Sequence, residues 1–405
     1  MRFMVIDDSK VSAALFEQLL TEAGHEVRSV LDSREAAAQA AQWQPEVVLL
    51  DLMMPHVDGF ALLATLRADA TLREMRIIVV TSKPYDADRQ RVMSLGADGF
   101  IPKTTPREAL LARIEQIVQG RLRIRFWGVR GTLPVPGEHT LRYGGNTSCV
   151  SLEFPDERLF IFDAGSGIKT LANTLLAERP GKLRASLFIS HPHWDHINAL
   201  PFFTPLYIKS NEFEILGPAQ QDRGVEDLIS AQMDGVFFPV TISEFAAHMR
   251  YRDLGEGDCE VDGIAVSCLL LSHPGRCLGY RVDYGGRRIA YVTDNELYPE
   301  STEWHNPEYR QQLADFVRGC DVLITDTTYT EAEYQGKVHW GHSTVTEVVA
   351  LADAAQVRTL CLFHHDPEQD DAAIDRKLEI AQRQLAERGS QTQVIAPAEG
   401  SELRL

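Results

Sequence analysis

The densest group of reactive side chains in this sequence is Ser190-His-Pro-His-Trp-Asp-His196, which follows the apolar run Ala185–Ile189. His191 and His193 are two residues apart, and Asp195 and His196 are adjacent. A loop leaving a strand at that spacing can turn its ligands toward two neighbouring points. Imidazole with carboxylate suits Zn²⁺, and also Mn²⁺ or Fe. An isolated histidine is more often a surface or hydrogen-bonded core residue, but clustered imidazoles have no packing advantage. Four further polar residues each close an apolar run: Asp163 in LFIFDAGSG, His273 in LLLSHPG, Asp294 in IAYVTDNE and His364 in TLCLFHHDP. Such a pattern is expected where strand ends converge on one site. His364 follows its strand directly, and His365 beside it is the alternative ligand.

A second constellation lies early in the chain. Asp7 and Asp8 end one apolar run, Asp51 ends VVLL, Thr81 ends IIVV and Lys103 follows GFIP. In an open parallel sheet the carboxyl ends of the strands line one crevice, where ligands bind. Three carboxylates there repel one another unless a hard cation lies between them, and Mg²⁺ with oxygen ligands fits. Asp51 is then the nucleophile for a phosphoryl group, with Lys103 and Thr81 binding its oxygens. Taken singly, an acid at a strand end is often a helix cap; five such residues in register point to one site.

The elements that must position these groups fall into two textures. Through residue 120, the strand-like runs Phe3–Ile6, Val47–Leu50, Ile77–Val80 and Gly99–Ile101 alternate with helical stretches such as Val11–Ala23 and Pro106–Val118. That alternation predicts a parallel sheet with helices on both faces. From residue 123 to 405 the strands come in pairs between Gly- and Pro-rich turns: Arg123–Trp127, Cys149–Phe154 and Leu159–Phe162, then Ile264–Leu271, Gly279–Val282 and Ile289–Val292. Helical stretches fall at Ile168–Leu176, Gln311–Val317 and Val345–Ala355. Two packed sheets flanked by helices are expected. The basic segment Gln119–Arg125 reads as a tight linker. The acidic segment Asn211–Gly257 reads as a cap with an amphipathic helix at Gly224–Met233. Its Phe237–Phe238 pair could stack a base or contact the sheet.

With its five residues in register, the stretch 1–120 resembles the response-regulator receiver family. The resemblance implies a (βα)5 doubly wound domain, phosphorylation of Asp51 by a histidine kinase, Mg²⁺ on Asp7, Asp8 and Asp51, and a switch through Thr81. Phe100 stands where the family often has a Tyr whose ring swings with the switch; Phe can swing but lacks the hydroxyl. Residues 123–400 carry a complete HxHxDH signature and resemble the metallo-β-lactamase superfamily, which implies an αββα sandwich. The same resemblance implies one metal on His191, His193 and His273 and a second on Asp195, His196 and His364. Asp294 would bridge them, and Asp163 would orient a ligand from behind. Two divalent ions about 3.5–4 Å apart activate a bridging water, and Asp195 could also take a proton.

Further segments resemble one branch of that superfamily. Trp127-Gly-Val-Arg-Gly-Thr132, Arg142–Cys149, Leu323–Tyr329 (LITDTTY) and Gly341-His-Ser-Thr344 look like the phosphodiesterase branch that includes ribonuclease Z and cyclic-nucleotide phosphodiesterases. That likeness implies that His342 approaches the scissile phosphate, donating a proton or stabilising charge, and that Asp326 orients it. The plain alternative makes His342 a residue at a helix start capped by Ser343 or Thr344. Gly144, Gly145 and Asn146 could offer backbone donors to a phosphate or form an ordinary tight turn.

Composition bounds the partners. The 405 residues are 44% hydrophobic and 24% charged, as in ordinary globular domains. A net charge of −18 argues against broad binding to long nucleic acid or to an anionic membrane surface. No basic arm like that of ribonuclease Z is seen. A small anionic substrate remains compatible, because bound ions dominate the charge of their own site. The opening MRFMVIDDSK does not read as a signal peptide, and no apolar stretch is long enough to span a bilayer. The six cysteines show no CxxC spacing and read as reduced, mostly buried thiols. Together these features predict a cytoplasmic signalling enzyme in which the receiver regulates a dimetal phosphodiesterase. The expected substrate is a small phosphodiester, with cyclic nucleotides as candidates. Transmission would run through a two-state shift, with homodimerisation as one route. Lactone or thioester hydrolysis and a non-catalytic, phosphorylation-controlled interaction module are the alternatives.

Overall fold

The structure, a computed structural model, describes all residues except 73, 74, 83, 84, 120, 121, 180 and 237. Phe237 and the middle of the expected linker therefore lie outside the described residues.

The first five strands are β1 (Arg2–Ile6), β2 (Glu26–Val30), β3 (Val47–Leu50), β4 (Arg76–Thr81) and β5 (Gly99–Pro102). They alternate with helices α1 (Lys10–Glu22), α2 (Ser33–Trp43), α3 (Gly59–Ala68), α4 (Asp86–Ser94) and α5 (Arg107–Gln119). The strands form one parallel sheet in the order β2-β1-β3-β4-β5. Strands covered on both faces are continuous apolar runs, and VVLL is buried at all four positions. Successive side chains point to opposite faces. Phe3 and Val5 therefore pack with Phe16 and Leu20 of α1 and with Ile114 and Ile117 of α5. Met4 and Ile6 pack on the other face with Ala36 and Ala40 of α2 and Leu62 and Leu66 of α3. The chain reverses direction across the sheet between β1 and β3, so the ends of those strands open the ligand crevice. Asp7 and Asp51 are the residues that follow them.

The remaining chain builds two sheets of seven strands. The first holds β6 (Arg123–Gly128), β7 (Cys149–Glu153), β8 (Leu159–Phe162), β9 (Arg184–Phe188), β10 (Glu212–Pro218) and β11 (His248–Leu254). The second holds β12 (Gly257–Val261), β13 (Ile264–Leu270), β14 (Leu278–Tyr284), β15 (Arg287–Val292), β16 (Val322–Asp326), β17 (Thr359–Phe363) and β18 (Gln393–Ile395). The last strand, β19 (Glu402–Arg404), returns to pair antiparallel with β6 in the first sheet. The inner faces share a core of large side chains, among them Phe126, Phe162, Phe188, Tyr280, Tyr291 and Phe363. Helix α6 (Ile168–Glu178), the short α7 (Trp194–Ile197) and α8 (Val225–Gln232) follow strands of the first sheet, and α6 and α8 cover its outer face. Helices α9 (Pro307–Phe316), α10 (Glu331–Tyr334), α11 (Val345–Ala354) and α12 (Asp371–Glu387) follow, and α9, α11 and α12 cover the second sheet. The result is an αββα sandwich.

One expectation needs correction. The segment read as a cap supplies β10 and β11, which extend the first sheet in parallel register from β9. Its acids mask a period of two: Phe213 and Ile215 of β10 are buried, while Glu212 and Glu214 lie on the opposite face. Helix α8 buries Val225 and Ile229 in the outer core. Phe238 packs edge-on against Phe202 at 5.4 Å, in contact with that core. Among the described residues no helix is long and apolar enough to cross a membrane.

Candidate dinuclear metal centre

The strands of both sheets end along one edge, and the polar residues that close them meet there. Asp163 follows β8, and His191, His193, Asp195 and His196 follow β9. His273 follows β13, Asp294 follows β15, and His364 follows β17. Left-handed backbone turns them inward at three places: Asp163 (φ 60°), Asp294 (φ 27°) and His364 (φ 60°). Such conformations cost non-glycine residues roughly 1–3 kcal/mol each and persist where surrounding contacts fix them.

Ligand atoms of His191, His193, His273 and Asp294 all lie within 4.8 Å of one another, as do those of Asp195, His196, Asp294 and His364. His193 Nδ1 is 2.8 Å from His191 Nε2 and 3.2 Å from His273 Nε2. In the second group Asp195 Oδ2 is 3.1 Å from His196 Nε2 and 3.2 Å from His364 Nε2. The Asp294 carboxylate spans both. Its Oδ2 lies 3.6 Å from His191 Nε2 and 3.7 Å from His273 Nε2. Its Oδ1 lies 3.2 Å from His196 Nε2 and 3.0 Å from His364 Nε2. Donors held tetrahedrally at about 2.0–2.1 Å from one ion sit roughly 3.3 Å apart. The observed separations bracket that figure. Buried His196 Nε2 makes no hydrogen bond, as an atom reserved for an ion would. The donor set therefore fits two divalent cations sharing one carboxylate.

The other ring nitrogens are tied down. His196 Nδ1 is 2.7 Å from Asp163 Oδ2, which also accepts from Tyr291 and Ser190 hydroxyls. His273 Nδ1 faces the Gly341 carbonyl at 3.0 Å, and His364 Nδ1 faces Thr328 Oγ1 at 3.2 Å. Such partners fix tautomer and ring orientation. Burial, with His196 nearby, drives His191 well below its ordinary pKa, which keeps it in the neutral, ligating form. At His196 burial opposes charge, but the carboxylates of Asp195, Asp294 and Asp163 outweigh it and raise the pKa well above the usual value. The centre is a negative field that wants cations.

His342 and Asp326 join this site. His342 Nδ1 is 2.7 Å from Asp326 Oδ2, and its ring stacks on His364 at 4.9 Å and lies 5.4 Å from His273. Burial lowers the His342 pKa, but the neighbouring Asp326 carboxylate prevails and pushes it up to about 9. Thr344 is the residue that caps α11. His365 is not in the cluster: its Nδ1 takes a 2.8 Å contact from buried Lys377, which also donates to the Thr327 and Thr328 carbonyls. In the turn at Gly144 to Asn146, the backbone and side-chain nitrogens of Asn146 both bond the Glu399 carboxylate.

The family model described as response regulator receiver domain matches residues 3–115, and that described as beta-lactamase superfamily domain matches residues 158–365. The chain belongs to the beta-lactamase superfamily. At its N-terminal end it carries a response-regulator receiver domain. Response regulator PleD of Caulobacter vibrioides is 33% identical over 121 residues, 30% of this chain and 27% of PleD. Transcriptional regulatory protein GltR of Pseudomonas aeruginosa is 36% identical over 129 residues, 32% of this chain and 52% of GltR. The chain thus spans about a quarter to a half of these relatives. The metallo-beta-lactamase fold protein YhfI of Bacillus subtilis covers 70% of this chain and 100% of its own, with TM-score 0.51 and 17% identity, a likeness of fold.

In the receiver domain of this superfamily member, ligand oxygens of Asp7, Asp8 and Asp51 lie within 4.8 Å of one another. Lys103 Nζ reaches Asp7 Oδ2 at 2.7 Å and Asp51 Oδ2 at 3.1 Å. Burial raises the Asp51 pKa despite the Lys103 charge. Thr81 is fully buried at the end of β4, and Phe100 is buried in the core under α4.

Sequence reading missed the residues that hold the ligands. Thr132 N–H donates to Asp195 Oδ2 at 2.7 Å, from a left-handed residue (φ 63°). Buried Glu296 accepts from the backbone of His339 and Gly341 at 2.8 Å each and from Tyr334 Oη at 2.6 Å. It thereby fixes the loop that leads into His342. Gly131 and Gly341 are glycines because a Cβ there would fall 2.2 Å from the rings of His364 and His273 respectively. Among these, only the glycines leave a sequence trace, as small residues flanking Arg130 and His342.

Proposed function

We propose that this protein is a two-component output enzyme whose C-terminal domain hydrolyses a small phosphodiester at two divalent metal ions. His191, His193 and His273 hold one ion; Asp195, His196 and His364 hold the other; Asp294 bridges them. The all-nitrogen-and-oxygen donor set suits Zn²⁺, with Mn²⁺ and Fe compatible. When bound, the two ions supply Lewis acidity to the phosphoryl group and lower the pKa of water.

The observation that carries the phosphodiester reading is His342, a buried imidazole stacked on one ligand ring, adjacent to another and anchored by a carboxylate. The phosphoryl oxygens of a diester carry a formal negative charge that a protonated imidazole beside the ions can neutralise, and a neutral ester or lactone brings no such charge. Asp326 holds the proton-rich form of His342 through Nδ1, which leaves Nε2 to donate to the leaving oxygen. Asp195 is held by the Thr132 N–H and can take a proton from the attacking water. Asp163 keeps His196 oriented.

The receiver sets the activity. Asp51 takes a phosphoryl group from a histidine kinase, with Mg²⁺ on Asp7, Asp8 and Asp51, while Lys103, Thr81 and Phe100 read the change. Support for coupling comes from the join between the parts. Tyr284, at the tip of the β14–β15 hairpin, donates its hydroxyl to the Asp98 carbonyl at 3.1 Å. Arg113 of α5 pairs with Glu157 at 2.9 Å. The hairpin runs from that contact straight to Asp294.

The test is hydrolysis of an aryl phosphodiester and a panel of cyclic nucleotides by the metal-loaded chain, with Asp195→Ala as control. Metal-dependent cleavage lost in the control is expected. No cleavage with both ions bound, together with turnover of a lactone or thioester, would overturn the diester reading.

A further inference from the structure

Helix α12 buries Ile374, Lys377, Ala381 and Leu385, the spacing of a single stripe facing the core. Lys377 is the one member of that stripe with a basic side chain, and it is 0% exposed. Lysine is almost never fully buried without a pairing partner. A methionine would fill much the same space without desolvating an amino group. The hydrogen-bond partners of Lys377 Nζ are two carbonyls and an imidazole rather than a carboxylate: Thr327 at 2.8 Å, Thr328 at 3.2 Å and His365 Nδ1 at 2.8 Å. Packing alone gives no reason for a lysine here, so the reason lies in what it holds.

Its partners are the residues next to the candidate centre. Thr327 and Thr328 follow Asp326 at the end of β16, and His365 follows His364 at the end of β17. Thr328 bonds Asp326 Oδ1 through its backbone N–H at 2.9 Å and its hydroxyl at 2.7 Å. The same hydroxyl lies 2.7 Å from the His364 carbonyl and 3.2 Å from His364 Nδ1. The His365 backbone ties in a third loop. Its N–H donates to the Val129 carbonyl at 3.0 Å, and its carbonyl accepts from Gly131 N–H at 2.9 Å. Gly131 directly precedes Thr132, whose N–H holds Asp195. His364 itself has left-handed backbone (φ 60°), which persists only where surrounding contacts fix it.

We infer that Lys377 is a positioning residue: its amino group staples the ends of β16 and β17 together, and so sets Asp326 against His342 and turns His364 toward the ion it shares with Asp195 and His196. This rests on the metal assignment above. Lys377 acts through Thr328 and His365, and its effect falls on one ion rather than on both.

The experiment titrates a chelator against the Zn²⁺-loaded full chain and records the visible spectrum of the Co²⁺-substituted chain. Lys377→Met should release one ion about tenfold more readily and alter the Co²⁺ bands, while the other ion is held as in wild type. Lys377→Gln keeps a shorter donor and should fall between Lys377→Met and wild type. Ile374→Ala is the control for packing on the same stripe, and both readouts should match wild type there. An unweakened ion in Lys377→Met, equal weakening in Ile374→Ala, or Lys377→Gln no better than Lys377→Met would overturn the staple. Should Lys377→Met fail to fold, an unweakened ion in Lys377→Gln would overturn it equally. His364→Ala, run alongside, should bind one ion; two ions held there would overturn the ligand assignment on which the staple rests. Both readouts are taken without substrate. An absence of diester cleavage would therefore sink the reaction and leave the staple, and cleavage with an insensitive ion would do the reverse.

Discussion

Replacing Gly131 by alanine tests the metal assignment with one methyl group. The glycine lies in the loop after β6, and its missing side chain leaves room for the His364 ring. A Cβ at this position would sit 2.2 Å from His364 Cε1, 2.4 Å from Nδ1 and 2.7 Å from Nε2. Carbon atoms pack at about 3.5–4.0 Å, so ring and methyl must separate by more than roughly 1 Å. Metal–ligand distances tolerate only about ±0.2 Å. The Gly131 backbone has little freedom to give way, because its N–H bonds the His365 carbonyl at 2.9 Å. His364 must therefore leave the ion it shares with Asp195 and His196. Loss of one ligand should weaken that ion by well over tenfold, while the His191, His193 and His273 group stays intact. Metal content measured by mass spectrometry after dialysis should fall from two ions to one per chain. Circular dichroism should be unchanged, since no core residue moves. Two ions retained with wild-type resistance to a competing chelator would refute both the clash and the role of His364.

Three further outcomes are expected. Asp326→Asn removes the carboxylate that pushes His342 up to about 9, so kcat should fall by about 10²-fold or more and the high-pH limb of kcat/KM should move to lower pH; bound ions lower both limbs alike, and a limb that does not move refutes the proton-donor role. Asp163→Asn removes the negative charge and one of the two acceptor oxygens that bond His196 Nδ1 and Ser190 N–H, and metal affinity in a competition titration should drop by about 10–100-fold, with an unchanged affinity counting against its orienting role. Tyr284→Phe deletes only the hydroxyl bond to Asp98; the ratio of turnover with and without beryllofluoride on Asp51 should move toward one, and an unaltered ratio would place the coupling elsewhere.

The clustered side chains were legible from sequence because metal chemistry favours few residue types. A buried strand restricts where they stand: an apolar run must end before a polar residue can follow. Asp163, His273, Asp294 and His364 each combine the two restrictions. The same logic read the receiver, where Asp7, Asp51 and Thr81 close buried parallel strands. It did not separate His364 from His365, since neighbours after a strand diverge and either can face the site. The structure brings His364 into the cluster and turns His365 to a partner distant in sequence, Lys377. Asn146 was ambiguous for the same reason: its donors go to Glu399, near the other end of the chain. In Asn211–Gly257 the acids drew attention from the alternation of β10, and two strands that end the sheet passed for a cap.

What escaped the sequence was the support. Thr132 and Glu296 are drawn from loops that meet the cluster only once both sheets have packed. No chemistry restricts such positions to one residue type, since a backbone N–H or any well-placed acceptor can do the work. The ligand set can be shared by ester, lactone and diester hydrolases, because it answers to the ions. The loop from Lys337 to His342 is held by Glu296 through its backbone and leads into the proposed proton donor. Substrate choice in this protein should therefore follow changes in that loop, while the clustered His and Asp residues stay as they are.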